Sequence, residues 1–577
     1  MKNIDISNIF NKMADLLEIK GENVFRIRAY RKAAFNIESL GKDISLLTQA
    51  ELKDIPGIGG DLAGKIEEYL ATGRLQAYEE LIKDVPESLV TLLKVPGLGP
   101  KTVSLLYSRY NVKDIDALER LAREHELKKI PGIREKTETN ILKGIEMLKR
   151  TSARYPIGKV LPVANDILGY LSGHAPVGKL SAAGSVRRWK ETIGDIDILS
   201  TSEDPAAVMN AFTRMPDVKE ILMKGPTKST VVLEGGLQVD IRVVDEESYG
   251  AALAYFTGSK AHNIRLREIA VKGGLKLNEY GIFREKDSRK MGGAREEEIY
   301  EILKLQFVPP ELREDTGEVE AASAHSLPHL LELKDIKGDL HVHSNWSDGN
   351  MELEDLAEVP IAKGYRYIAV TDHSKGLGVA RGLHEERVIE QRKAIDAMNK
   401  KLRGFRLLAG IEINIKNDGG LDFDEEILKS FDIVVASVHS GFKQSKEQIT
   451  KRILTAMENP FVSVIAHPSG RLIGEREAYE VDMEEVLQGA SKTGTAIEIN
   501  AYPLRLDLAE PYIRLAKSKG VSLAISTDSH NSGQFDNMVF GVSLARRGWL
   551  EKKDVLNTLD LNRLLIGIKK KRKTGKT

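Results

Sequence analysis

Two aspartates open an apolar run near the middle of the chain. The stretch 194–200 reads GDIDILS, so a single residue separates Asp195 from Asp197. In a strand, residues i and i+2 point to the same face, which would place the two carboxylates side by side. Because like charges at that distance repel each other, the pair predicts a bound divalent cation. A solvent-facing strand edge is the alternative interpretation.

A third carboxylate and a glycine–serine pair extend this set. Asp240 lies among apolar neighbours in LQVDIRVV, where a carboxylate is costly unless it is hydrogen-bonded or binds a metal. Three strand carboxylates can hold two Mg²⁺ ions, as phosphoryl transfer requires. Gly184 and Ser185 leave backbone N–H groups and a hydroxyl available for a phosphate, and Arg188 adds positive charge.

A second group of possible ligands lies beyond Gly338, at the ends of short apolar runs such as DLHVHS, TDHS and STDSH. A lone histidine in such a place is usually structural, but six at equivalent run ends indicate metal binding. The chain has no cysteine, so the ligands are nitrogen and oxygen atoms, which admits Mn²⁺, Zn²⁺ or Fe²⁺. His384 lies away from the run ends and is not expected to be a ligand. The candidate ligands are His341, His343, Asp348, His373, Glu412, His439, His467, Asp528 and His530.

The elements that would carry these residues change along the chain. Residues 1–150 have the pattern of helices separated by Gly/Pro turns, and residues 151–310 alternate helices with β-rich runs, which favours an α+β domain. From Gly338, seven apolar runs recur between helical stretches. This alternation predicts a closed or nearly closed β/α barrel with its active site at the C-terminal strand ends. The stretch beginning DTGEVEAASAHS at residue 315 is small, polar and acidic, which predicts a linker.

A repeat marks the helical part. LKDIPGIGGDLAGKI, LLKVPGLGPKTVSLL and LKKIPGIREKTETNI begin at residues 52, 92 and 127 and resemble the helix–hairpin–helix motif. The N–H groups of a Pro-Gly turn before a helix suit a phosphate oxygen of a nucleic-acid backbone. A single copy could be an ordinary turn, but three copies favour DNA binding. In the third copy Arg134 replaces the second glycine, so this copy departs from the pattern. The turn glycines of the first two copies are Gly57, Gly59, Gly97 and Gly99.

Composition narrows the class of protein. The 577 residues exceed one hydrophobic core, and 85 Lys and Arg balance 85 Asp and Glu, so net charge alone does not indicate a nucleic-acid partner. The absence of cysteine excludes disulfides, and no apolar run approaches the length of a membrane span. We expect a soluble, monomeric protein of the cytoplasm that is associated with the nucleoid. The basic run 569–573 is expected to be a solvated, disordered end.

The first set of residues resembles the nucleotidyltransferase core of the DNA polymerase X family. YFTGSKAHNIRLRE (255–268) and LNEYGIF (277–283) extend the likeness and are similar to the nucleotide-binding segment of DNA polymerase β. The resemblance implies that Asp195 and Asp197 bind two Mg²⁺ or Mn²⁺ ions and that Asp240 binds the ion at the primer hydroxyl. It also implies a template contact through Arg267. The implied dNTP contacts are Arg154, Gly184, Ser185, Arg188, Tyr255, Phe256, Gly258, Ser259, Lys260 and Asn263.

The same resemblance also implies roles for two lysines. Lys260 stands where the eukaryotic relative has an acid, so fidelity and metal preference are expected to differ. In the first helical repeat, Lys65 aligns with the lysine that forms a Schiff base and removes a 5′-deoxyribose phosphate in that relative. Tyr30 and Arg26 match its surroundings loosely. A lysine on a DNA-facing helix can instead only neutralise phosphate, so both roles remain open for Lys65.

The histidine-rich set resembles the PHP (polymerase and histidinol phosphatase) domain, a phosphoesterase barrel with three metal ions. All nine ligand positions hold suitable residues, which favours a catalytically active barrel. The resemblance implies one ion bound by His341, His343, Glu412 and Asp528, a second by Glu412, His439 and His467, and a third by Asp348, His373 and His530.

Together the two resemblances predict a multidomain, gap-filling repair polymerase with a 3′-5′ exonuclease. It would act on gapped or primer-template DNA with dNTPs, and abasic-site or 3′-phosphate processing would be further activities. Two alternatives remain: a barrel that is a phosphatase for small molecules of the histidinol-phosphate type, and a non-catalytic scaffold for DNA ends. The expected parts are a lyase-like helix–hairpin–helix domain (1–85), a DNA-binding helix–hairpin–helix domain (86–150), a nucleotidyltransferase palm (151–245), a nucleotide-selection subdomain (246–314), a linker (315–335), a seven-stranded PHP barrel (336–570) and a basic tail (571–577).

Overall fold

A computed structural model describes residues 2–574 apart from 39–43, 56, 94, 96–97, 131–132, 134–136, 143 and 146–153. The chain divides into two compact units, Met1–Ala153 and Arg154–Thr577. Gly97 and Arg134, which belong to the helical repeats, lie outside the described residues. Among the described helices, none is both long enough and apolar enough to cross a bilayer.

The first unit is helical and has a core of aliphatic side chains. Its helices are α1 (Lys2–Lys20), α2 (Val24–Glu38), α3 (Gln49–Lys53), α4 (Gly60–Thr72), α5 (Gln76–Asp84), α6 (Leu89–Leu92), α7 (Pro100–Tyr110) and α8 (Ile115–Arg123). In the first repeat α3 leads through the turn at Gly57 into α4, and in the second α6 leads into α7. Gly57 has φ +90°, and a Cβ there would lie 2.9 Å from the Lys32 side chain. The turn therefore requires glycine at this position.

The second unit begins with a five-stranded mixed sheet and two short pairing strands. The strands are β1 (Tyr155–Pro156), β2 (Leu180–Ala182), β3 (Thr192–Ile193), β4 (Asp195–Thr201), β5 (Val218–Lys224), β6 (Lys228–Leu233) and β7 (Gln238–Val244). The large sheet has the order β2–β4–β7–β6–β5, in which β4 and β7 are parallel and the other pairs antiparallel. β7 alternates buried and half-buried residues, as expected for a strand with one face on a core. The helices α9 (Ile157–His174), α10 (Gly184–Arg187) and α11 (Pro205–Thr213) accompany this sheet.

A smaller α+β region follows the sheet. It contains α12 (Tyr249–Thr257), α13 (Lys260–Lys272), β8 (Leu275–Asn278), β9 (Gly281–Arg284), β10 (Lys290–Gly292) and α14 (Glu296–Ile302). The three strands form an antiparallel sheet in the order β10–β9–β8. Its core includes buried Leu266, Ile282 and Ile299.

The stretch 315–335, which the sequence predicts to be a linker, contains a packed helix. It contains the helix α15 (Glu318–Ser323), whose Val319 and Ala322 are buried. Glu318 is also fully buried, and its Oε1 lies 2.7 Å from Nδ1 of His262 in α13. Small residues suit a linker, but they equally allow a helix to pack closely against its neighbours.

The barrel is a single parallel sheet of seven strands in chain order. The strands are β11 (Gly338–Val342), β12 (Tyr367–Val370), β13 (Arg406–Asn414), β14 (Ile433–Ser437), β15 (Val464–Ile465), β16 (Ala496–Asn500) and β17 (Leu523–Ser526). The ends of the first and last strands are joined by hydrogen bonds from His343 N to Ser529 O (2.9 Å) and from Asp528 N to His341 O (3.0 Å). The helices are α16 (Asp355–Ala362), α17 (Glu385–Lys401), α18 (Glu425–Leu428), α19 (Lys446–Glu458), α20 (Met483–Thr493), α21 (Glu510–Ser518), α22 (Met538–Arg547) and α23 (Leu561–Thr574). The predicted fold class is confirmed.

The basic run near the C-terminus differs from its predicted solvated state. Residues 569–573 continue the helix α23. Lys571 Nζ donates to Thr495 Oγ1 (2.6 Å), and Arg572 Nη2 donates to the Phe431 carbonyl (2.9 Å). Burial lowers the pKa of Lys571 to about 7. Two of the five basic side chains, Lys571 and Arg572, thus have acceptors on the barrel, which a charge count along the sequence does not reveal.

Candidate active sites

The register of two parallel strands brings the three palm aspartates together. Asp197 in β4 is the direct partner of Asp240 in β7, and Asp195 is paired with Gln238. Because alternate residues share a face, Asp195, Asp197 and Asp240 lie on one face of the sheet. Thr230 Oγ1 donates to Asp240 Oδ1 (2.6 Å), and Gln238 Nε2 donates to Asp240 Oδ2 (2.7 Å).

The crowding of these carboxylates shows in their pKa values. Burial, with the charges of Asp195 and Asp240, raises the pKa of Asp197 to about 7. Burial and the charge of Asp240 also raise the pKa of Asp195, although Arg154 opposes the shift. A divalent cation would favour the ionised form of every member of this group. The donor set of carboxylate oxygens fits Mg²⁺ or Mn²⁺.

Gly184 leaves room for one of these carboxylates. Its φ is +57°, and a Cβ built there would lie 2.1 Å from Asp197 Oδ2. Any other residue would therefore displace Asp197 or distort the turn. The glycine begins α10, and Ser185 follows it at the edge of the same cleft.

An open cleft of about 560 Å³ lies over the aspartates. Asp240 and Ser259 lie outside its lining, and the Ser259 hydroxyl caps α13 by accepting from His262 N (3.2 Å). Two lining residues, Lys190 and Gly194, were not predicted from the sequence. The other lining residues are all predicted ones: Arg154, Gly184, Ser185, Arg188, Asp195, Asp197, Tyr255, Phe256, Gly258, Lys260, Asn263 and Arg267.

The side chains of this cleft are held by neighbouring groups. Arg154 Nε donates to Thr192 Oγ1 (2.8 Å). The rings of Tyr255 and Phe256 meet edge-to-face with centroids 5.1 Å apart. Asn263 Nδ2 donates to the Tyr255 carbonyl (2.7 Å), and Arg267 Nε donates to the Asn263 carbonyl (3.3 Å).

Glu412 is the centre of the second site, at the end of β13. Its Oε1 lies 3.1 Å from Nε2 of His439 and 3.1 Å from Nε2 of His467. Its Oε2 lies 2.8 Å from Nδ1 of His373 and 3.4 Å from Nε2 of His341. A single carboxylate thus faces histidines that follow several different strands of the barrel.

The ligand atoms of this rim form three overlapping groups, each within 4.8 Å. His373 joins two groups because its Nδ1 faces Glu412 while its Nε2 lies 3.5 Å from Asp348 Oδ2. His467 lies outside all three groups but contacts Glu412 directly. The groups are His341, His343 and Asp528; His373, Glu412 and His439; and His343, Asp348, His373 and His530.

The electrostatics of the rim suit bound cations. Burial, and then the proximity of His373, lowers the pKa of His343 to about 3, so its imidazole is neutral, as a metal ligand must be. Neither ring nitrogen of His343 makes a hydrogen bond of normal geometry within the described residues. Although burial opposes ionisation, His373, His439 and His341 hold the pKa of Glu412 well below its usual range. Glu412 and Asp348 raise the pKa of His373 to about 10 although burial opposes it, so a cation bound there would displace a proton. Imidazole nitrogens and carboxylate oxygens are ligands that fit Mn²⁺, Zn²⁺ or Fe²⁺.

Three residues that contact the ligands, Glu498, Asn500 and Arg505, were not predicted from the sequence. Glu498 Oε1 lies 2.8 Å from His341 Nδ1, which orients the ring so that Nε2 faces the rim. Asn500 Nδ2 donates to Asp528 Oδ2 (3.2 Å), and Arg505 Nε lies 3.6 Å from the same oxygen. Glu498 and Asn500 alternate in the run AIEIN, and that period of two was the available signal.

The first unit positions the predicted lyase residue on α4. Lys65 Nζ lies 2.5 Å from Asp61 Oδ2, one helical turn earlier, and 5.9 Å from the ring centre of Tyr30. Gly59 and Gly99 are the residues that precede α4 and α7. α4 therefore presents its first N–H groups directly after a glycine, whereas α7 begins with Pro100, which has no N–H, and its first donor is Lys101 N.

Family models match most of the chain in the order of its parts. A helix-hairpin-helix domain matches residues 1–75, a SAM-like helix-hairpin-helix tandem matches 89–146, the DNA polymerase beta thumb matches 252–314, and the PHP domain matches 339–502.

Similar proteins cover either the whole chain or its barrel. A probable phosphatase of Thermoanaerobacter sp. (strain X514) is 31% identical over 250 residues, which is 41% of this chain and 96% of that protein. A probable phosphatase of Acetivibrio thermocellus is 30% identical over 215 residues, 35% of this chain and 83% of that protein. The DNA polymerase/3′-5′ exonuclease PolX of Bacillus subtilis (strain 168) is 42% identical over 559 residues, 96% of this chain and 97% of that protein. The chain therefore belongs to the family X DNA polymerases that carry a PHP domain.

Proposed function

We propose that the chain fills short gaps during DNA repair as a DNA-directed DNA polymerase, and that its barrel is a metal-dependent 3′-5′ exonuclease. The observation that carries the proposal is the cleft in which paired aspartates face Arg154, Arg188 and Lys190. A triphosphate needs this combination of metal ligands and fixed cations. The name of the Bacillus subtilis relative, a polymerase and 3′-5′ exonuclease, supports both activities.

The proposal is tested with labelled gapped DNA that carries a 5′-phosphate, incubated with and without dNTPs in Mg²⁺ or Mn²⁺. We expect extension of the primer until the gap is closed when dNTPs are present, and 3′ shortening in their absence. A protein that binds the gap but neither extends nor shortens the primer would instead be a scaffold for DNA ends.

In the polymerase cleft we assign a role to each group of residues. Asp195, Asp197 and Asp240 would hold two Mg²⁺ or Mn²⁺ ions. When bound, such ions lower the pKa of the attacking hydroxyl and neutralise phosphate charge. The chain's own cations would orient the triphosphate, and Ser185 would donate to a phosphate oxygen. Tyr255 and Phe256 would limit the space beside the sugar.

In the barrel, the nine rim residues would hold up to three cations. When bound, the ions would supply Lewis-acid activation and charge neutralisation for hydrolysis of a phosphodiester. Glu498 would keep His341 in the tautomer that offers Nε2 to the rim. Abasic-site cleavage and removal of a 3′-phosphate use the same chemistry and are further candidate activities.

A second function for the barrel is hydrolysis of a small phosphate monoester. The observation that favours it is the match of the barrel to probable phosphatases along nearly their whole length. The two functions differ in substrate size, so parallel assays with histidinol phosphate and with single-stranded DNA separate them. We favour the nuclease because the relative that matches 96% of the chain is named as an exonuclease.

Binding of gapped DNA is expected to weaken steeply with salt and to depend little on sequence. The helix–hairpin–helix turns would contact phosphate oxygens, and each phosphate neutralised by a cation releases counterions. Fluorescence anisotropy between about 50 and 200 mM salt should show affinity falling by roughly a hundredfold or more. A shallow salt dependence combined with strong sequence preference would contradict this prediction.

Lys65 is expected to form a Schiff base with the aldehyde of an abasic site. Its amine lies 5.9 Å from the ring centre of Tyr30, and the residue belongs to α4, the helix that follows the first hairpin turn. Borohydride should trap a covalent protein–DNA adduct, which Lys65→Ala should remove. Lys83→Ala, at an exposed position on α5, is the matched control and should leave trapping unchanged. Equal trapping in both variants would reduce Lys65 to a phosphate contact.

A further inference from the structure

A short segment of the polymerase cleft is built against the barrel. Arg188 and Lys190 line the cleft, and Trp189 lies between them. Trp189 has φ +55°, so a bulky residue here adopts a backbone conformation that needs support from its surroundings. We name residues 188–190 the cation segment.

The first support is Arg547, the last residue of the barrel helix α22. It is 1% exposed, and its Nη1 donates to the backbone carbonyl of Arg188 at 2.6 Å. The same nitrogen lies 3.2 Å from Glu314 Oε1, and Nη2 bonds Glu510. The Arg188 carbonyl thus receives a hydrogen bond from a residue 359 positions later in the chain.

Glu314 connects this arginine with both cations of the segment. Its Oε1 accepts from Arg188 Nε (3.1 Å) and lies 3.6 Å from Lys190 Nζ. Although burial opposes it, Arg188, Arg547 and Lys190 hold the pKa of Glu314 below its usual value. One carboxylate is thus shared among three cations, and removal of Arg547 would leave it to Arg188 and Lys190 alone.

The second support is Phe540, two turns earlier on α22. Its ring meets the Trp189 ring edge-to-face with centroids 6.0 Å apart. Next to the segment, Arg471 of the barrel donates from Nη2 to Glu191 Oε1 at 2.7 Å. Three barrel residues therefore contact three palm residues, Arg188, Trp189 and Glu191.

We propose that Arg547 and Phe540 of the barrel are positioning residues of the polymerase nucleotide site. They fix the backbone of the cation segment, and Arg547 takes a share of the Glu314 charge that Arg188 and Lys190 would otherwise carry alone. The barrel then has a second task besides its own chemistry, since it sets the affinity of the polymerase for the incoming nucleotide. This inference rests on the proposed polymerase function of the cleft.

The physical consequence is a change in ground-state binding. Without Arg547, the carbonyl of Arg188 loses its donor and the whole charge of Glu314 falls on the cleft cations. The aspartates that would hold the catalytic ions are not touched by this change. The KM for dNTP should therefore rise about tenfold, as the loss of one charge-assisted hydrogen bond predicts, while kcat changes less than about twofold.

The test uses the full chain with Arg547→Gln, Arg547→Lys and Phe540→Leu. Arg546→Gln is the matched control, because Arg546 precedes Arg547 and bonds Glu311 (2.7 Å) and the Leu331 carbonyl instead of the cation segment. Single-nucleotide incorporation on gapped DNA gives KM and kcat for each variant. We expect a raised KM in Arg547→Gln and Phe540→Leu, partial rescue in Arg547→Lys, and parental values in Arg546→Gln.

Further measurements distinguish failure of this inference from misfolding of a variant and from failure of the proposed polymerase function. Exonuclease activity and melting temperature are recorded for each variant, and Phe540→Leu decides the question if Arg547→Gln does not fold. An unchanged KM in the folded variants, or a fall in kcat alone, would overturn the inference while the parent still synthesised DNA. If the parent protein itself did not extend primers, the proposed function would fail instead.

Discussion

Asp240→Ala is expected to lower nucleotide addition by roughly 10³-fold or more and to leave 3′ degradation unchanged. Asp240 is paired with Asp197 across two parallel strands, so its loss removes one of the three carboxylates of the site. In our proposal this carboxylate holds the ion beside the primer hydroxyl, and no other residue replaces its oxygens. The ligands of the barrel rim belong to a separate group and keep their partners.

The measurement pairs two assays on the same preparation. Incorporation of one nucleotide into gapped DNA with Mg²⁺ reports synthesis, and shortening of single-stranded DNA with Mn²⁺ and no dNTP reports degradation. Asp204→Ala is the matched control, because Asp204 caps α11 through Ala207 N in the same domain and lies outside the cleft. Loss of degradation in a folded Asp240→Ala protein would contradict the assignment of two independent sites.

In the palm site, the spacing of neighbouring residues predicts some of the geometry, while contacts between distant residues are not predicted by it. The i, i+2 spacing places Asp195 and Asp197 on one face, since this follows from strand geometry alone. The neighbour relation of Asp197 and Asp240 depends on strand pairing across more than forty residues, which only the family resemblance implied. The close approach of Asp197 to Gly184 depends equally on residues that are distant in the sequence. It gives a steric reason why this position requires glycine, besides the expected phosphate contact.

The barrel was more predictable because parallel strands end at one rim. Histidines that close successive apolar runs must converge there, whatever the details of the loops. The division into ion sites depends on ring orientation, which spacing does not encode. His373 therefore serves two groups, while Glu498 was missed because it lies one layer behind the ligands.

Composition did not reveal how two polar stretches of the chain pack. The stretch 315–335 was predicted to be a linker and the basic run 569–573 a solvated end, yet Glu318 pairs with His262 and Lys571 binds Thr495. The partners lie 56 and 76 positions away, beyond any local window. Composition cannot show which polar residues are buried, because the desolvation cost of burial is offset only by hydrogen-bond partners that lie elsewhere in the chain.

In the barrel, Asp528→Ala and His341→Ala are expected to abolish Mn²⁺-dependent degradation and to leave polymerisation intact. Asp528 Oδ1 lies 3.1 Å from Nε2 of His343 and 3.7 Å from Nε2 of His341, so the three residues share one group. Either change removes a ligand and weakens binding of the ion there, with a loss of roughly 10³-fold in rate.

Metal content gives this prediction a readout that is independent of activity. The parent protein, dialysed against chelator and refilled with Mn²⁺, should bind more metal per chain than Asp528→Ala in elemental mass spectrometry. His384→Ala is the matched control, since His384 precedes α17 and lies outside the three ligand groups. It should bind as much metal as the parent and degrade DNA at the same rate.

The substrate of the barrel decides between its two candidate functions. A diester and a monoester require the same ions, so the ligand set alone does not distinguish DNA from a small phosphate. The intact chain should shorten single-stranded DNA in Mn²⁺ far faster than it hydrolyses histidinol phosphate, because the helical unit would hold the DNA. Asp528→Ala should remove both activities if they share the rim. If the parent protein hydrolysed histidinol phosphate rapidly and left DNA intact, the barrel would be a phosphatase and not a nuclease. If folded Asp528→Ala lost polymerisation, the two sites would not be separate.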